Sequence, residues 1–166
     1  MATDRVILVD GSSLIYRAFF AIPANLRTST GLPTNAVLGF AQMFRKVMSG
    51  RTPTYGAVVF DAPGPTFRAE KYPEYKAQRP PMPDEMRVQL PWIDKVVAAH
   101  AFPLLRMKGY EADDIIGTLT RQALEAGHEV YIISGDKDFA QLIGSCVRMF
   151  GALRDVTYDP DLVFRK

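Results

Sequence analysis

Glu111, Asp113 and Asp114 crowd three carboxylates into four residues, directly after Lys108-Gly109-Tyr110. Behind them runs an apolar pattern at helical spacing: Ile115, Ile116, Leu119, Ala123 and Leu124. Glu111 is therefore expected at or near the N-cap of a helix, with Asp113 and Asp114 in its first turn. One acid there needs no further account, because first-turn N–H groups lack intrahelical partners and the helix dipole is positive at that end. Three acids repel one another and call for a counter-charge, which a bound cation would supply.

Four more acids share a second pattern. Asp10 ends the apolar run Val6-Ile7-Leu8-Val9, Asp61 follows the run 55–60, and Asp136 and Asp138 follow the run 129–133. Singly, each reads as a turn or capping aspartate. Jointly, Asp10, Asp61, Glu111, Asp113, Asp114, Asp136 and Asp138 all fall at the end of an expected strand or the start of one helix. Carboxylates with no matching His or Cys suit hard cations, above all magnesium or manganese. A pair of such ions serves phosphodiester hydrolysis, one activating water and the other stabilising the leaving oxygen. His100 and His128 lie by expected helix ends, away from these acids, and read as ordinary surface or core residues.

The elements that would position these acids alternate. Strands are expected at 6–9, 55–60, 102–105, 129–133, 147–150 and 155–158. Helices are expected at 14–22 with Ser12 or Ser13 as cap, at 36–48 with Val37, Phe40, Phe44 and Val47 inward, and at 84–100 with Val88, Trp92, Val96 and Val97 inward. Two more are expected, from Glu111 to Gly127 and over 139–143. This order predicts an α/β fold, a three-layer sandwich with a mainly parallel central sheet flanked by helices. In such sheets ligands bind outside the carboxyl ends of the strands, where the acids fall.

Residues 62–83 differ in character: rich in proline, alternating basic and aromatic residues, with no sustained core pattern. A loop of that length in a compact domain is usually functional or mobile. Arg68, Lys71, Lys76, Arg79 and Arg87 could hold phosphates, and Tyr72 and Tyr75 could stack on the bases of an opened strand. The competing reading is a solvated loop whose aromatics pack back on the domain. Tyr16 and Arg17, just after Asp10, point toward the same rim, where Arg17 could neutralise Asp10 or clamp a phosphate.

The chain of 166 residues is long enough for one domain with a real core, and its apolar fraction of 48% reads as globular. No apolar run approaches the ~20 residues that cross a bilayer, and the N-terminus lacks a signal-peptide pattern. The single cysteine, Cys146, rules out an internal disulfide, fits a reducing cytoplasm, and is expected to be buried and structural. A net charge of +2 is too small to argue for nucleic acid by itself.

With these residues in hand, the chain resembles the 5′→3′ exonuclease and flap endonuclease family. The matching motifs are Leu8-Val9-Asp10-Gly11-Ser12, Phe60-Asp61, Tyr72-Pro73-Glu74-Tyr75-Lys76 with Arg79, Gly109-Tyr110-Glu111-Ala112-Asp113-Asp114, and Ser134-Gly135-Asp136-Lys137-Asp138-Phe139. They stand in family order and cover nearly the whole chain. The resemblance implies a PIN-like nuclease domain over 1–166 with an arch at about 62–83. It implies two magnesium or manganese ions on the seven acids, and cleavage of DNA near a 5′ end or 5′ flap. Catalytic roles pass to Lys76, Arg79, Asp10 and Asp136, and substrate contacts to Tyr16, Arg17, Arg68, Tyr72, Tyr75, Lys76 and Arg79. A cytoplasmic monomer is implied, with a C-terminal polymerase region in a longer protein and no membrane partner. The family continues into a helix-hairpin-helix region that grips duplex DNA and adds aspartates to the second metal site. This chain stops at Lys166, so the first site is expected intact and the second weakened.

Other functions compete. A PIN-type ribonuclease shares the acidic rim but not usually the Tyr-Lys-Arg arm. A folded, catalytically incomplete DNA-binding domain is the non-enzymatic reading. An aspartyl-phosphate phosphatase is disfavoured, because Ser12 stands where that chemistry wants a second Asp.

Overall fold

The computed structural model describes residues 4–151 and 156–161. One six-stranded sheet organises them, in the order β3-β2-β1-β4-β5-β6. Its strands are β1 (Arg5–Asp10), β2 (Tyr55–Val59), β3 (Leu104–Leu105), β4 (Glu129–Ile133), β5 (Val147–Gly151) and β6 (Val156–Tyr158). The first five run parallel and β6 antiparallel. β1 lies between β2 and β4 and is buried on both faces, which is why its sequence is an unbroken apolar run rather than an alternating one.

Alternate residues of β1 feed two separate cores, as the period-two geometry of a strand requires. Ile7 and Val9 pack with Leu14, Phe40, Phe44, Ile93 and Val97, under α1 (Gly11–Ala21), α2 (Asn35–Met48) and α5 (Leu90–Ala99). Val6 and Leu8 pack on the other face with Ile116, Ala123 and Phe139, under α6 (Ala112–Glu125) and a 3-10 helix (Lys137–Leu142). The expected sandwich of a mainly parallel sheet between helical layers is thus observed.

Four local expectations are corrected. The first helix starts at Gly11, and its cap is Asp10 itself, whose carboxylate accepts from the Ser13 N–H at 2.9 Å; neither serine caps it. Strand runs straight into helix because residue 11 has no side chain: a Cβ there would lie 2.3 Å from the Phe60 ring. The helix expected over 84–100 is two, α4 (Asp84–Arg87) and α5. Pro91, at the start of α5, has no N–H to continue the earlier turn. The break shifts the inward face to Met86, Gln89, Ile93 and Val97, leaving Val88 and Trp92 exposed, the latter beneath Lys95 Nζ at 4.2 Å. The stretch 62–83 contains a short helix, α3 (Phe67–Lys71), begun by Thr66. Cys146 is exposed, because β5 begins one residue later. Of the last expected strand, residue 155 lies outside the described residues. No helix among the described residues is long and apolar enough to cross a membrane.

Gln89 is fully buried and joins three helices. Its side-chain oxygen accepts from the Val37 N–H at 3.1 Å, and its amide donates to Asn35 Oδ1 at 3.0 Å and to the Glu85 carbonyl at 2.8 Å. Asn35 in turn donates to the Phe19 carbonyl at the end of α1, at 2.8 Å. Gln89→Leu would strand the Val37 N–H and Asn35 Oδ1 without partners. The expected loss of unfolding free energy is about 2–4 kcal/mol, read from the urea midpoint, since each orphaned buried group costs ~1–3 kcal/mol.

Candidate active site

β2, β1 and β4 are neighbours and parallel, so their carboxyl ends open on one edge. Asp10 is the last residue of β1, Asp61 lies two residues beyond the end of β2, and Ser134-Gly135-Asp136 follows β4. α6 points its N-terminus at the same edge. The Ala112 N–H, an orphan donor of the first turn, is satisfied by Asp61 Oδ1 at 2.8 Å. Asp136 caps the 3-10 helix by accepting from the Asp138 N–H at 3.0 Å.

Six of the seven acids divide into two groups by what balances them. In the first, only neutral donors touch the carboxylates. Asp10 is 4% exposed and accepts from Ser13 N–H and, at 2.6 Å, from the Ser134 hydroxyl. Burial pushes its carboxyl up to about 6 against those hydrogen bonds, and Asp113 and Asp61 push the same way. Asp113 is also raised to about 6, by burial first and then by Asp136, with Lys76 pulling it down and Asp61 and Glu111 pushing it up. Among the described residues no hydrogen-bond donor is paired with the Asp113 carboxylate.

In the second group the arch supplies cations. Glu111 accepts from Lys76 Nζ at 2.6 Å, from the Tyr75 hydroxyl at 2.9 Å and from Arg68 Nη1 at 3.4 Å. Asp114 takes both arms of Arg68, at 2.7 and 2.6 Å, and the Glu111 N–H at 3.0 Å. The Arg68 guanidinium holds the Asp114 carboxyl below the usual carboxylate range. Burial works against the Lys76 ammonium, yet Glu111 and Tyr75 outweigh it and leave the pKa raised. Lys76 adopts φ +55°, the left-handed region that non-glycine residues seldom occupy. Arg68, Tyr75, Glu111, Asp113, Asp114 and Asp138 line one open cleft of about 560 Å3.

Of the other expected contacts, Arg17 reaches the loop before Asp136 and the rest lie further out. Arg79 is exposed, near enough to disfavour the Lys76 charge. Tyr72 is exposed and donates to Glu74 at 2.7 Å. Tyr16 shares the outer face of α1 with Phe20, ring centroids 6.5 Å apart. Arg17 donates to the Gly135 carbonyl at 2.7 Å. His100 packs on Phe44 and His128 near Asp4, away from the rim. Sequence reasoning missed Ser12, Ser13 and Ser134, although the hydroxyls beside the acids in Asp10-Gly11-Ser12-Ser13 and Ser134-Gly135-Asp136 were a readable signal. Ser12 Oγ accepts from the Asp61 N–H at 2.9 Å, and Ser134 Oγ from the Asp136 N–H at 3.0 Å.

Among the described residues no three His, Cys, Asp or Glu side chains stand close enough to hold one ion directly. The donor set still fits a hard, hydrated cation. Its donors are carboxylates alone, Asp113 has no hydrogen-bond donor among the described residues, and magnesium keeps several waters while binding through one or two carboxylates. Glu111 and Asp114 are already engaged by the arch; Asp10, Asp61, Asp113 and Asp136 are the coupled set.

Comparison with known proteins agrees with this arrangement. The sequence model of the family described as 5′-3′ exonuclease, N-terminal resolvase-like domain, matches residues 5–166. A DNA polymerase I of Pseudomonas aeruginosa is 46% identical over 166 residues, which is 100% of this chain and 18% of that protein. A 5′-3′ exonuclease of Aquifex aeolicus is 42% identical over 159 residues, 96% of this chain and 55% of that protein. The chain therefore spans little more than half of the one relative and under a fifth of the other. Among solved structures, a bacteriophage T5 protein co-crystallised with metal ions aligns with a TM-score of 0.74 at 19% identity, over 97% of this chain and 60% of that one. A bacteriophage T5 flap endonuclease in a pseudo-enzyme-product complex with DNA and metal ions aligns with a TM-score of 0.65 at 20% identity, over 93% and 57%. At such identities the likeness shows a shared fold.

The raised carboxyls fix a sign for pH dependence. Asp10 and Asp113 in the folded protein hold protons that the unfolded chain has already released between pH ~4 and ~6. Without metal, they make the fold lose stability as pH rises through that window. For Asp10 the ordinary value of 3.8 against about 6 corresponds to about 3 kcal/mol at pH 7. Asp10→Asn is expected to melt higher than the wild type at pH 7.5 in chelator, with the gap narrowing as pH falls from about 6 toward about 4. A gap that does not change with pH would show that the folded protein does not raise the Asp10 carboxyl.

Proposed function

The chain belongs to the 5′-3′ exonuclease family through its N-terminal resolvase-like domain, and from that membership we propose that it is a divalent-metal-dependent nuclease. It hydrolyses DNA phosphodiesters near a 5′ end or at the foot of a 5′ flap. The observation that carries this reading is the rim itself: Asp10, Asp61, Asp113 and Asp136 push on one another, while Arg68, Tyr75 and Lys76 hold the neighbouring Glu111 and Asp114. Magnesium or manganese, two ions in all, would be held by Asp10, Asp61, Asp113, Asp136 and Asp138, with Glu111 and Asp114 behind them. Bound there, the metal supplies a water acidic enough to attack at neutral pH and charge to stabilise the leaving oxygen.

The chain's own groups do the rest. Asp10, held by Ser13 and Ser134, is fixed in orientation and ionised at pH 7 to 8. Lys76, released from Glu111 to a phosphoryl oxygen, stabilises the charge that develops there. Arg79, beside it and open to solvent, adds a second cation for the scissile strand. Tyr72 and Tyr16, both exposed, offer faces for unstacked bases. Arg68 braces the arch on Asp114. A cytoplasmic monomer is part of the same reading. The match to DNA polymerase I, of which the chain spans 18%, supports a polymerase region as its companion.

The test is cleavage of a labelled 5′-flap DNA with magnesium or manganese. Cutting near the junction is expected, lost in chelator and in Asp136→Asn. Lys76→Ala is expected to cut about 10²–10³-fold more slowly while still binding metal, the scale of losing one preorganised charge donor. Cutting of matched RNA but not flap DNA would give the site to a ribonuclease. Metal binding without turnover would leave a DNA-binding domain, and neither binding nor cutting would overturn the reading.

A further inference from the structure

β4 delivers the chain to Asp136 through Ser134 and Gly135, and both are fastened to the sheet-and-helix junction at Asp10. The Ser134 hydroxyl donates to Asp10 Oδ2 at 2.6 Å and accepts from the Asp136 N–H at 3.0 Å. Gly135 is held at both of its peptide groups. Its N–H donates to Ser13 Oγ at 3.4 Å, and its carbonyl accepts from Arg17 Nη2 at 2.7 Å. Ser13 and Arg17 are four residues apart and share one face of α1, so a single helix face grips one residue of the acidic loop.

The glycine is there for the arginine. Gly135 does not have a positive φ, so the backbone makes no demand for glycine. A Cβ at 135, however, would lie 1.7 Å from Arg17 Nη2 and 1.8 Å from Cζ. The guanidinium occupies the space where a side chain would stand. The loop needs such a hold, because Asp136 and Asp113 repel each other across the rim. A hydrogen bond from a charged donor is about twice as strong as a neutral one, which suits a clamp acting against that repulsion.

We propose that Arg17 is a positioning residue: by binding the Gly135 carbonyl it sets Asp136 and Asp138 at their distance from Asp10, and so sets the affinity of the rim for a divalent cation. This rests on the metal-dependent reading of the rim and departs from a direct phosphate contact by Arg17. Two substitutions separate the roles. Gly135→Ala evicts the guanidinium from the carbonyl but keeps its charge, and the clash is relieved by moving the end of a flexible side chain. Arg17→Met removes both bond and charge.

Manganese binding to the full chain without DNA is measured by calorimetry, DNA binding is measured in chelator, and cleavage is followed across metal concentration. Both variants are expected to weaken manganese binding by about 10- to 100-fold, the range for groups that orient metal ligands. The double variant should be no worse than either single one. Arg17→Lys, which keeps a cationic donor on the same helix face, should recover part of the loss. Unchanged manganese binding in both variants, with DNA affinity lost in Arg17→Met alone, would overturn the inference and make Arg17 a phosphate contact. A wild-type chain that binds no manganese would overturn the nuclease reading, and this inference with it.

Discussion

Repulsion among carboxylates is the constraint that the rest of this structure answers. A parallel sheet brings the ends of adjacent strands to one edge, and here three of those ends carry acids. Unit charges a few ångströms apart interact by about 1 kcal/mol in water and about 4 kcal/mol at the lower effective dielectric near a protein surface. Asp10 cannot escape by turning to solvent, because β1 is the central strand and its last residue is 4% exposed. The fold must therefore offset the repulsion locally, and it does so in two chemically distinct ways.

Glu111 and Asp114 are neutralised. Arg68 and Lys76 bring full positive charges, and the Arg68 fork on Asp114 is the bidentate arrangement that adds geometry to charge. Asp10, Asp61 and Asp136 are given only dipoles: serine hydroxyls and backbone N–H groups. The difference matters chemically. A carboxylate already paired with arginine has little left to offer a metal ion. One held in place by neutral donors keeps its charge available and its orientation fixed. In the proposed reading the neutral set, with Asp113, is the one that takes the cation, although the seven acids look alike in the sequence.

That distinction also marks what the sequence could and could not disclose. The strand ends were legible because an apolar run broken by an acid is a local pattern, and α6 because its apolar positions repeat at helical spacing. The partners were not, because they come from far along the chain: Ser134 meets Asp10 across 124 residues, and Arg17 meets Gly135 across 118. Asp10 as the cap of α1 was missed because the two serines behind it are equally good caps, and only the close packing of Gly11 on Phe60 decides among the three. Gln89 was missed because a buried glutamine makes sense only once Asn35 and Val37 are beside it. Pro91 was visible, yet its effect was to rotate the whole inward face of the helix around it, which periodicity alone does not reveal.

Lys76 shows how narrowly such a balance is set. Its backbone sits at φ +55°, and a non-glycine residue held there costs on the order of 1–3 kcal/mol. Its ammonium is also partly desolvated, which burial alone would penalise. Against both stand one short ion pair with Glu111, 12% exposed at the side chain, and the neighbouring Tyr75. A fully exposed pair is worth roughly 1 kcal/mol or less, and breaking one as covered as this costs more. The strained backbone and the ion pair therefore meet at one residue, and Glu111 keeps the Tyr75 hydroxyl and Arg68 as partners if the ammonium moves away. In the proposed nuclease reading Lys76 exchanges this carboxylate for a phosphate, and the donors that remain on Glu111 keep that exchange from leaving a covered carboxylate unpaired.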